Sequence, residues 1–415
     1  MSIMQAILGI GVLMALAWAL SEARGAVQWR AVAAGLTIQL ALALLLLGVP
    51  AVSQGLLVLN EVVYAVEAAT TAGAGFVFGY LGGGDVPFDV KDPAAMYIFA
   101  FRVLPQIIVF SVLVAILWYW RVLPLVVRGF GAVLRRALGV GGAVGTAGAA
   151  SVFLGMVETP LVIRGYLKNL SRSELFTVMT CGMSTVAGSI MVLYASVLRD
   201  TVPGALGHVL IASVINVVGA VFVSRIMIPP GEDAAGELVP DELHYSSHMD
   251  AITRGTADGL RLAANVAAMV LVLVSLVALV NYMLASVIVG DDPLTLERMM
   301  GWVFAPIAWL MGIPWGEAQA AGSLLGTKVI LNELVAYLQF AALPADTLSE
   351  SSKLVMTYAL CGFANFGSLG ILLGGLNTLI PEQREELLSV GPKALISGTI
   401  VACNTGAIVA VVGLV

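Results

Sequence analysis

The chain has 415 residues, of which 60% are hydrophobic and only 11% charged, with a mean hydropathy of +0.99 and a net charge of −6. A soluble domain carries about 25% charged residues, so this composition is that of an integral membrane protein. It offers no basic patch of the kind nucleic-acid binding needs. Three cysteines without CxxC spacing (Cys181, Cys361, Cys403) read as reduced structural residues, not as a disulfide framework.

A spanning helix needs about 20 mostly apolar residues. The first run, Ile3 to Leu20, lacks a basic leader and is expected to be a span, not a cleaved signal. Further spans are expected at about 31–49, 96–120, 174–197, 204–228, 260–289, 352–380 and 391–415, eight in all. A stretch at about 54–80 carries Glu61 and Glu67 and ends in Gly-Tyr-Leu-Gly-Gly-Gly-Asp, the pattern of an interfacial amphipathic helix followed by a turn.

Two more apolar stretches, about 137–168 and 302–341, are each broken near the middle. The breaks fall at Gly155-Met156-Val157-Glu158-Thr159-Pro160 and at Gly312-Ile313-Pro314-Trp315-Gly316-Glu317. Irregular backbone at membrane depth survives only where protein or a water-filled cavity covers it, so both are expected to be re-entrant helical hairpins. The fold class is thus an all-α polytopic membrane protein. Residues 1–95 form N-terminal spans and the interfacial helix, and 96–228 a first repeat. A cytoplasmic loop covers 229–258, and a second repeat 259–415.

With the N-terminus outside, 14 of the 20 basic residues fall on the inner side, among them Arg135, Arg136, Lys168, Arg172, Arg225 and Lys393. That bias predicts periplasmic termini in an inner membrane, and Trp118-Tyr119-Trp120 ahead of Arg121 fits an inner aromatic belt. A weak internal repeat pairs Cys181-Gly182 with Cys361-Gly362, accompanied by Val178-Met179-Thr180 and Val355-Met356-Thr357. Small and polar residues follow each pair, Met183 to Ser189 and Phe363 to Ser368. They suit a broken helix whose freed carbonyls bind something, and paired interrupted segments in two halves point to a transporter's site. Basic residues place the two hairpins on opposite sides, which makes the repeat inverted.

Glu158 and Glu333 lie in apolar surroundings, one in each half. A carboxylate at membrane depth costs roughly 2.5–3.5 kcal/mol, so it normally faces a cavity or a partner. Helix capping by Glu158, with Pro160 just inside, and an ion pair of Glu333 with Lys328 are the structural alternatives. His244-x-x-x-His248 sits in an acidic loop without a third ligand, and Gly139-Val140-Gly141-Gly142 lacks the Lys-Ser/Thr of a phosphate loop. The first is expected to be solvated loop and the second close helix packing. No nucleophile–base pair or HExxH motif supports an enzyme, and no sizeable soluble domain supports a sensor.

The segments Gly155-x-x-Glu158-x-Pro160-Leu161-Val162, Gly301-Trp302-Val303-Phe304-Ala305-Pro306, Asn332-Glu333 and Cys361-Gly362-Phe363-Ala364-Asn365-x-x-Ser368 resemble the concentrative nucleoside transporters over about residues 96–410. The resemblance implies a homotrimer in the lipid bilayer, each protomer binding a nucleoside between two hairpins and two broken helices. Glu333, Asn365 and Ser368 would hydrogen-bond the ribose hydroxyls, chemistry that a carboxylate, an amide and a hydroxyl can supply. Phe363 would pack on the ligand, Glu158 would serve the base side, and Met156, Val157 and Ile190 would line it. Ser151, Leu154, Thr185 and Val186 stand at the family's Na+-ligand positions.

Two departures stand out. Family members carry Gln-Thr where this chain has Met156-Val157, and Asn where it has Ser151. The first removes two groups able to hydrogen-bond a base. The second thins the oxygen set for Na+ and keeps proton coupling through Glu158 or Glu333 open as the alternative.

Overall fold

The structure, a computed structural model, describes residues 3–48, 65–66, 68–90, 96, 98–102, 104–156, 158–231, 245–289 and 292–413. Among the described residues the regular structure is helical, apart from a two-residue antiparallel pairing of Ile288–Val289 with Asp292–Pro293. Helix α1 covers Ile3–Ala19, α2 Trp29–Gly48, α3 Leu104–Tyr119 and α4 Val122–Leu138. Of the expected interfacial helix, 54–64 and Glu67 lie outside the described residues, while 68–78 is helical and closes in a tight turn at Gly79–Gly82.

Helix α4 has no counterpart in the hydropathy pattern. It buries Leu123, Val127, Gly131 and Leu134 at helical spacing and carries Arg128, Arg135 and Arg136 elsewhere, an amphipathic helix too mixed to register as a span. Gly139 ends it with φ +60, and no atom lies within 4 Å of the place a Cβ would occupy. At Gly139 the glycine therefore serves a left-handed turn and not the expected close packing.

The first hairpin follows as α5, Gly142–Ser151, and the short α6, Glu158–Val162. Next come α7, Arg172–Ser184, and α8, Gly188–Val197, which are one span interrupted at 185–187. Ser171 and Glu174 close a reciprocal capping box at the start of α7. Helix α9 covers Ala205–Met227 and α10 His248–Leu284. The latter starts inside the expected 229–258 loop, because Ser247 accepts from the Asp250 N–H and caps it there.

The second half repeats this plan. Helix α11, Leu296–Leu310, meets α12, Trp315–Ile330, at 118°. Helix α13, Glu333–Ala341, begins after a second break at Leu331-Asn332. The 302–341 stretch thus has two breaks where the sequence shows one, and Glu333 stands beside the second. Helices α14, Glu350–Leu360, and α15, Phe366–Leu379, form the second interrupted span, and α16, Arg384–Val412, closes the chain. The Val-Met-Thr triplets occupy matching places before the breaks. The Cys-Gly pairs do not, since Cys181 lies within α7 and Cys361 is the first residue past α14.

Among the described residues, five helices are long and apolar enough to cross a membrane: α2, Phe99–Tyr119, α9, α10 and α16 with its lead-in turn. Four of them fall into two pairs. Helices α9 and α16 are 83% and 78% buried in their spanning windows and form the core with α7 and α14. Helices α3 and α10 pack against each other, and the Phe99–Tyr119 and α10 spanning windows are only 18% and 12% buried, leaving apolar side chains such as Leu271, Leu276 and Tyr282 outward. All three cysteines are free and buried. At one end of the bundle Arg172 binds Glu22 and Glu386, Lys393 binds Glu22, and Lys168 binds Glu382.

Candidate functional site

The two interrupted spans meet at their breaks. Asn216 of α9 donates through Nδ2 to the Ser184 carbonyl at 2.7 Å and to the Cys361 carbonyl at 3.2 Å. One amide thus serves the end of α7 and the end of α14. The Phe363 N–H donates to the Thr185 carbonyl at 3.3 Å. Gly362, at φ +130, brings its Cα so near that an added Cβ would lie 2.8 Å from the Ser184 carbonyl oxygen. Only glycine fits there, both by conformation and by space.

Helix starts converge on the same place. Asn365 caps α15 by accepting from the Ser368 N–H at 2.7 Å, and Asn332 caps α13 by accepting from the Val335 N–H at 2.8 Å. Glu333, the first residue of α13, is 5% exposed and is held at both oxygens. Oε1 accepts from the Tyr194 hydroxyl at 2.6 Å, and Oε2 accepts from Asn365 Nδ2 at 2.7 Å. A carboxylate has about four acceptor sites, so two donors leave acceptor capacity for a ligand. The Tyr194 ring is itself set against Tyr337, with centroids 4.7 Å apart.

Lys328 does not pair with Glu333. Its Nζ donates to the Ala359 carbonyl at 2.9 Å, and the Tyr337 hydroxyl donates to the Thr357 carbonyl at 2.8 Å. The expected structural alternative for Glu333, an ion pair with Lys328, is therefore replaced by the Tyr194 and Asn365 bonds.

Glu333, Asn365 and Ser368 line a cavity of about 370 Å³ together with Phe363, Ile190 and Met156. A pocket of this size suits a small drug-sized ligand. Its other walls include Gly155, Ala187, Leu193, Asn332 and the α10 residues Asp258, Arg261, Leu262, Asn265 and Val266. Six expected ligand residues are thus brought together. Val157 and the Glu158 side chain lie outside the described residues; Glu158 is the first residue of α6.

The cation candidates sit at the other break. Ser151 Oγ donates to the Gly148 carbonyl at 2.8 Å, and Thr185 Oγ1 donates to the Cys181 carbonyl at 2.9 Å. Each hydroxyl spends its single proton and keeps oxygen lone pairs for a cation. Ser151, Leu154, Thr185 and Val186 are all buried, and the Gly188 N–H, donating to the Phe153 carbonyl at 2.9 Å, fastens the first hairpin's turn to this break. Hydroxyl and carbonyl oxygens are the donors a hard monovalent cation requires, so the residues fit Na+. Among the described residues, no group of three His, Cys, Asp or Glu side chains has metal-binding geometry. His248, half of the HxxxH spacing, accepts from Trp120 Nε1 at 3.0 Å and packs on Tyr119; His244 lies outside the described residues.

Sequence reasoning missed Tyr194, Asn332 and the α10 wall. Tyr194 sits in an apolar half-helix where an aromatic residue normally means packing. Asn265 carries a readable signal, as the one polar residue between Arg261 and Ser275.

Residues 208–410 match the family model described as the C-terminus of Na+ dependent nucleoside transporters, residues 8–81 match the model of their N-terminus, and residues 100–201 match a nucleoside recognition (Gate) model. The chain is 38% identical to an uncharacterized transporter of Haemophilus influenzae, over 96% of this chain and 95% of that protein. It is 35% identical to the nucleoside permease NupC of Helicobacter pylori, over 95% of this chain and 94% of that one. The solved structure of CNTnw in an inward-facing substrate-bound state superposes with a TM-score of 0.90 at 35% identity, covering 99% of this chain and 98% of that one.

Proposed function

We propose, from the premise that the chain belongs to the Na+ dependent nucleoside transporter family, that it imports nucleosides across the inner membrane by cation-coupled alternating access. It is a multi-pass membrane transporter and not an enzyme. One observation carries the substrate assignment. Glu333, fixed at both oxygens by Tyr194 and Asn365, presents its remaining acceptor capacity to a cavity that also holds Ser368, Asn332 and the Phe363 ring. A carboxylate facing a vicinal diol, with an amide and a hydroxyl beside it, is a sugar-recognition arrangement. Such a site rejects analogues lacking the hydroxyls, because its own polar groups are then left unpaired.

In this reading Glu333, Asn365 and Ser368 take the ribose, and Phe363, Ile190 and Met156 enclose the base. Glu158 stands on the base side and Val157 beside it. Ser151, Leu154, Thr185 and Val186 hold the coupling cation, Na+ in preference. The protein is a homotrimer, with the Arg172–Glu22–Glu386 end cytoplasmic and the termini periplasmic. Moving one charge through 100 mV releases about 2.3 kcal/mol, which supports roughly 50-fold accumulation.

Uptake of labelled uridine or adenosine into proteoliposomes tests the function. Uptake should depend on an imposed inward Na+ gradient and vanish when choline replaces Na+. No gradient-dependent uptake of either nucleoside would sink the proposal. A second reading, proton coupling, is favoured by the loss of the family's Asn at Ser151. Uptake that survives in choline and follows an inward pH step selects it.

A further inference from the structure

Lys328 is 1% exposed, in the last turn of α12, and its ammonium is unused by the substrate assignment. An ammonium has three donors and no acceptor, and a charge inside a bundle is costly unless it meets an opposite charge or a dipole. No described carboxylate lies within ion-pair distance of it, and the Glu333 carboxylate acts on it only at longer range. The group its Nζ donates to is the Ala359 carbonyl at the end of α14.

Three of the last four carbonyls of α14 have identified donors. Helix α14 stops at Leu360, so its last carbonyls lose their helical partners. Thr357 takes the Tyr337 hydroxyl, Tyr358 takes the Cys361 N–H, Ala359 takes Lys328 Nζ, and beyond the helix Cys361 takes Asn216. Cations are favoured at a helix C-terminus, where the aligned dipoles leave about half a negative charge.

The matching end of α7 is built differently. The Cys181 carbonyl takes the Thr185 N–H and hydroxyl, the Thr180 carbonyl takes the Ser184 hydroxyl, and the Ser184 carbonyl takes Asn216. Among the described residues, no lysine or arginine reaches it. The repeat adds a register. The Val-Met-Thr triplet recurs 177 positions on, from 178 to 355, and the hairpin glutamate 175 positions on, from 158 to 333. Carried back by these offsets, Lys328 falls on Ser151 or Phe153, within the turn of the first hairpin that faces the α7 break.

We infer that Lys328 is a tethered cation: its ammonium does for the α14–α15 break what the exchangeable cation does for the α7–α8 break. It is a positioning residue, acting on the ligand through the end of α14 and through Asn365, which holds Glu333. The comparison with the first break rests on the cation site proposed above; the hold on Ala359 does not. The Glu333 side of the cavity accordingly keeps its form when the coupling ion leaves.

The test compares the purified parent with Lys328→Met. Uridine and adenosine affinity is titrated in choline chloride and then in Li+, Na+ and K+ chlorides, and melting temperature without nucleoside is followed in the same salts. In choline the variant should bind at least tenfold more weakly than the parent. A small cation should restore its binding, and raise its ligand-free melting temperature, by at least three times the factor seen in the parent. Parent-like affinity in choline overturns the inference, as does an equal loss in every salt, which would make Lys328 a packing element. If K328M does not purify folded, Lys328→Gln, which keeps length and a donor without the charge, is read by the same criteria. A parent that binds neither nucleoside defeats the substrate reading instead, and the ligand-free melting temperatures still decide Lys328.

Discussion

The two hairpins are built from opposite materials. The first, α5 to α6, is mostly glycine, alanine and valine, and it meets the broken span through backbone, with Gly188 donating to the Phe153 carbonyl. The second, α12 to α13, is knitted by side chains: Thr327 to Gln339 at 2.9 Å, Lys328 to Ala359, Tyr337 to Thr357, and Glu333 to Tyr194 and Asn365. Side-chain networks of this kind fix geometry, because every member constrains its neighbours. A contact made through backbone commits no side-chain polar group and leaves hydroxyl and carbonyl lone pairs for a guest. The second hairpin therefore suits the invariant part of a ligand, and the first suits what varies or leaves.

The sharpest way to break this contrast is Glu333→Gln. One end of the new amide must face a donor, either Tyr194 or Asn365, and the charge is gone. Hydrogen bonds to charged groups contribute about 1.5–3 kcal/mol each, so nucleoside affinity should fall roughly a hundredfold in calorimetry, with Tyr194→Phe losing about tenfold. A Glu333→Gln protein that binds within threefold of the parent removes the second hairpin from the site. Next in size is Asn216→Ala, which frees the Ser184 and Cys361 carbonyls together. Leaving buried acceptors unpaired costs about 1–3 kcal/mol. The variant should melt several degrees lower and weaken nucleoside binding as well, since it loosens both breaks. A change confined to one of these readouts would show that the breaks are not joined through Asn216.

The contrast between hairpins was only half legible in the chain. Breaks were visible because Gly155, Pro160, Pro314 and the 361–368 run interrupt apolar stretches, and a charge such as Glu333 stands out against them. The second break in 302–341 was not, since Leu331-Asn332 contains neither glycine nor proline; Asn332 becomes a cap only because α13 starts there. Lys328 looked like a partner for Glu333 because sequence gives proximity and not direction. Its hold on Ala359 depends on where α14 ends, a tertiary fact. The α10 wall was hidden for a similar reason: Asn265 reads as one polar residue in a span until packing turns it to the cavity.

A smaller effect sharpens the reading of the first hairpin. Met156 lies in the cavity wall where family members carry a hydrogen-bonding residue. Restoring Gln and Thr through Met156→Gln with Val157→Thr adds groups that must be satisfied by the base. Sites that hydrogen-bond a ligand discriminate more sharply than apolar ones. The ratio of the best to the worst nucleoside in a competition assay should widen by about tenfold, with ribose-deficient analogues unaffected. An unchanged ratio would place base recognition elsewhere, with Asn265 the first residue to replace.

The smallest effect concerns the charged end, away from both hairpin tips. Glu22 accepts from Arg172 Nη2 at 2.6 Å and Nε at 2.9 Å, and also from Lys393. The Arg172 bonds, assisted by Lys393 and opposed by partial burial, lower its carboxyl from 4.5 to about 2. A lowered folded-state value means that the unfolded chain takes up the proton first. The stabilisation is therefore complete above pH 4.5 and is lost as pH falls from there through about 2. Because the pair is solvent-screened, its contribution is about 1 kcal/mol or less. Glu22→Gln should melt slightly below the parent at pH 7, and the gap should narrow as pH falls below 4.5 and close near pH 2. Nucleoside affinity at pH 7 should stay within twofold of the parent, because this cluster ties α7 and α16 to the α1–α2 turn and reaches neither break. A larger loss of binding would mean that the charged end sets the geometry of the first break, and the division between a fixed and an adaptable hairpin would have to be redrawn around it.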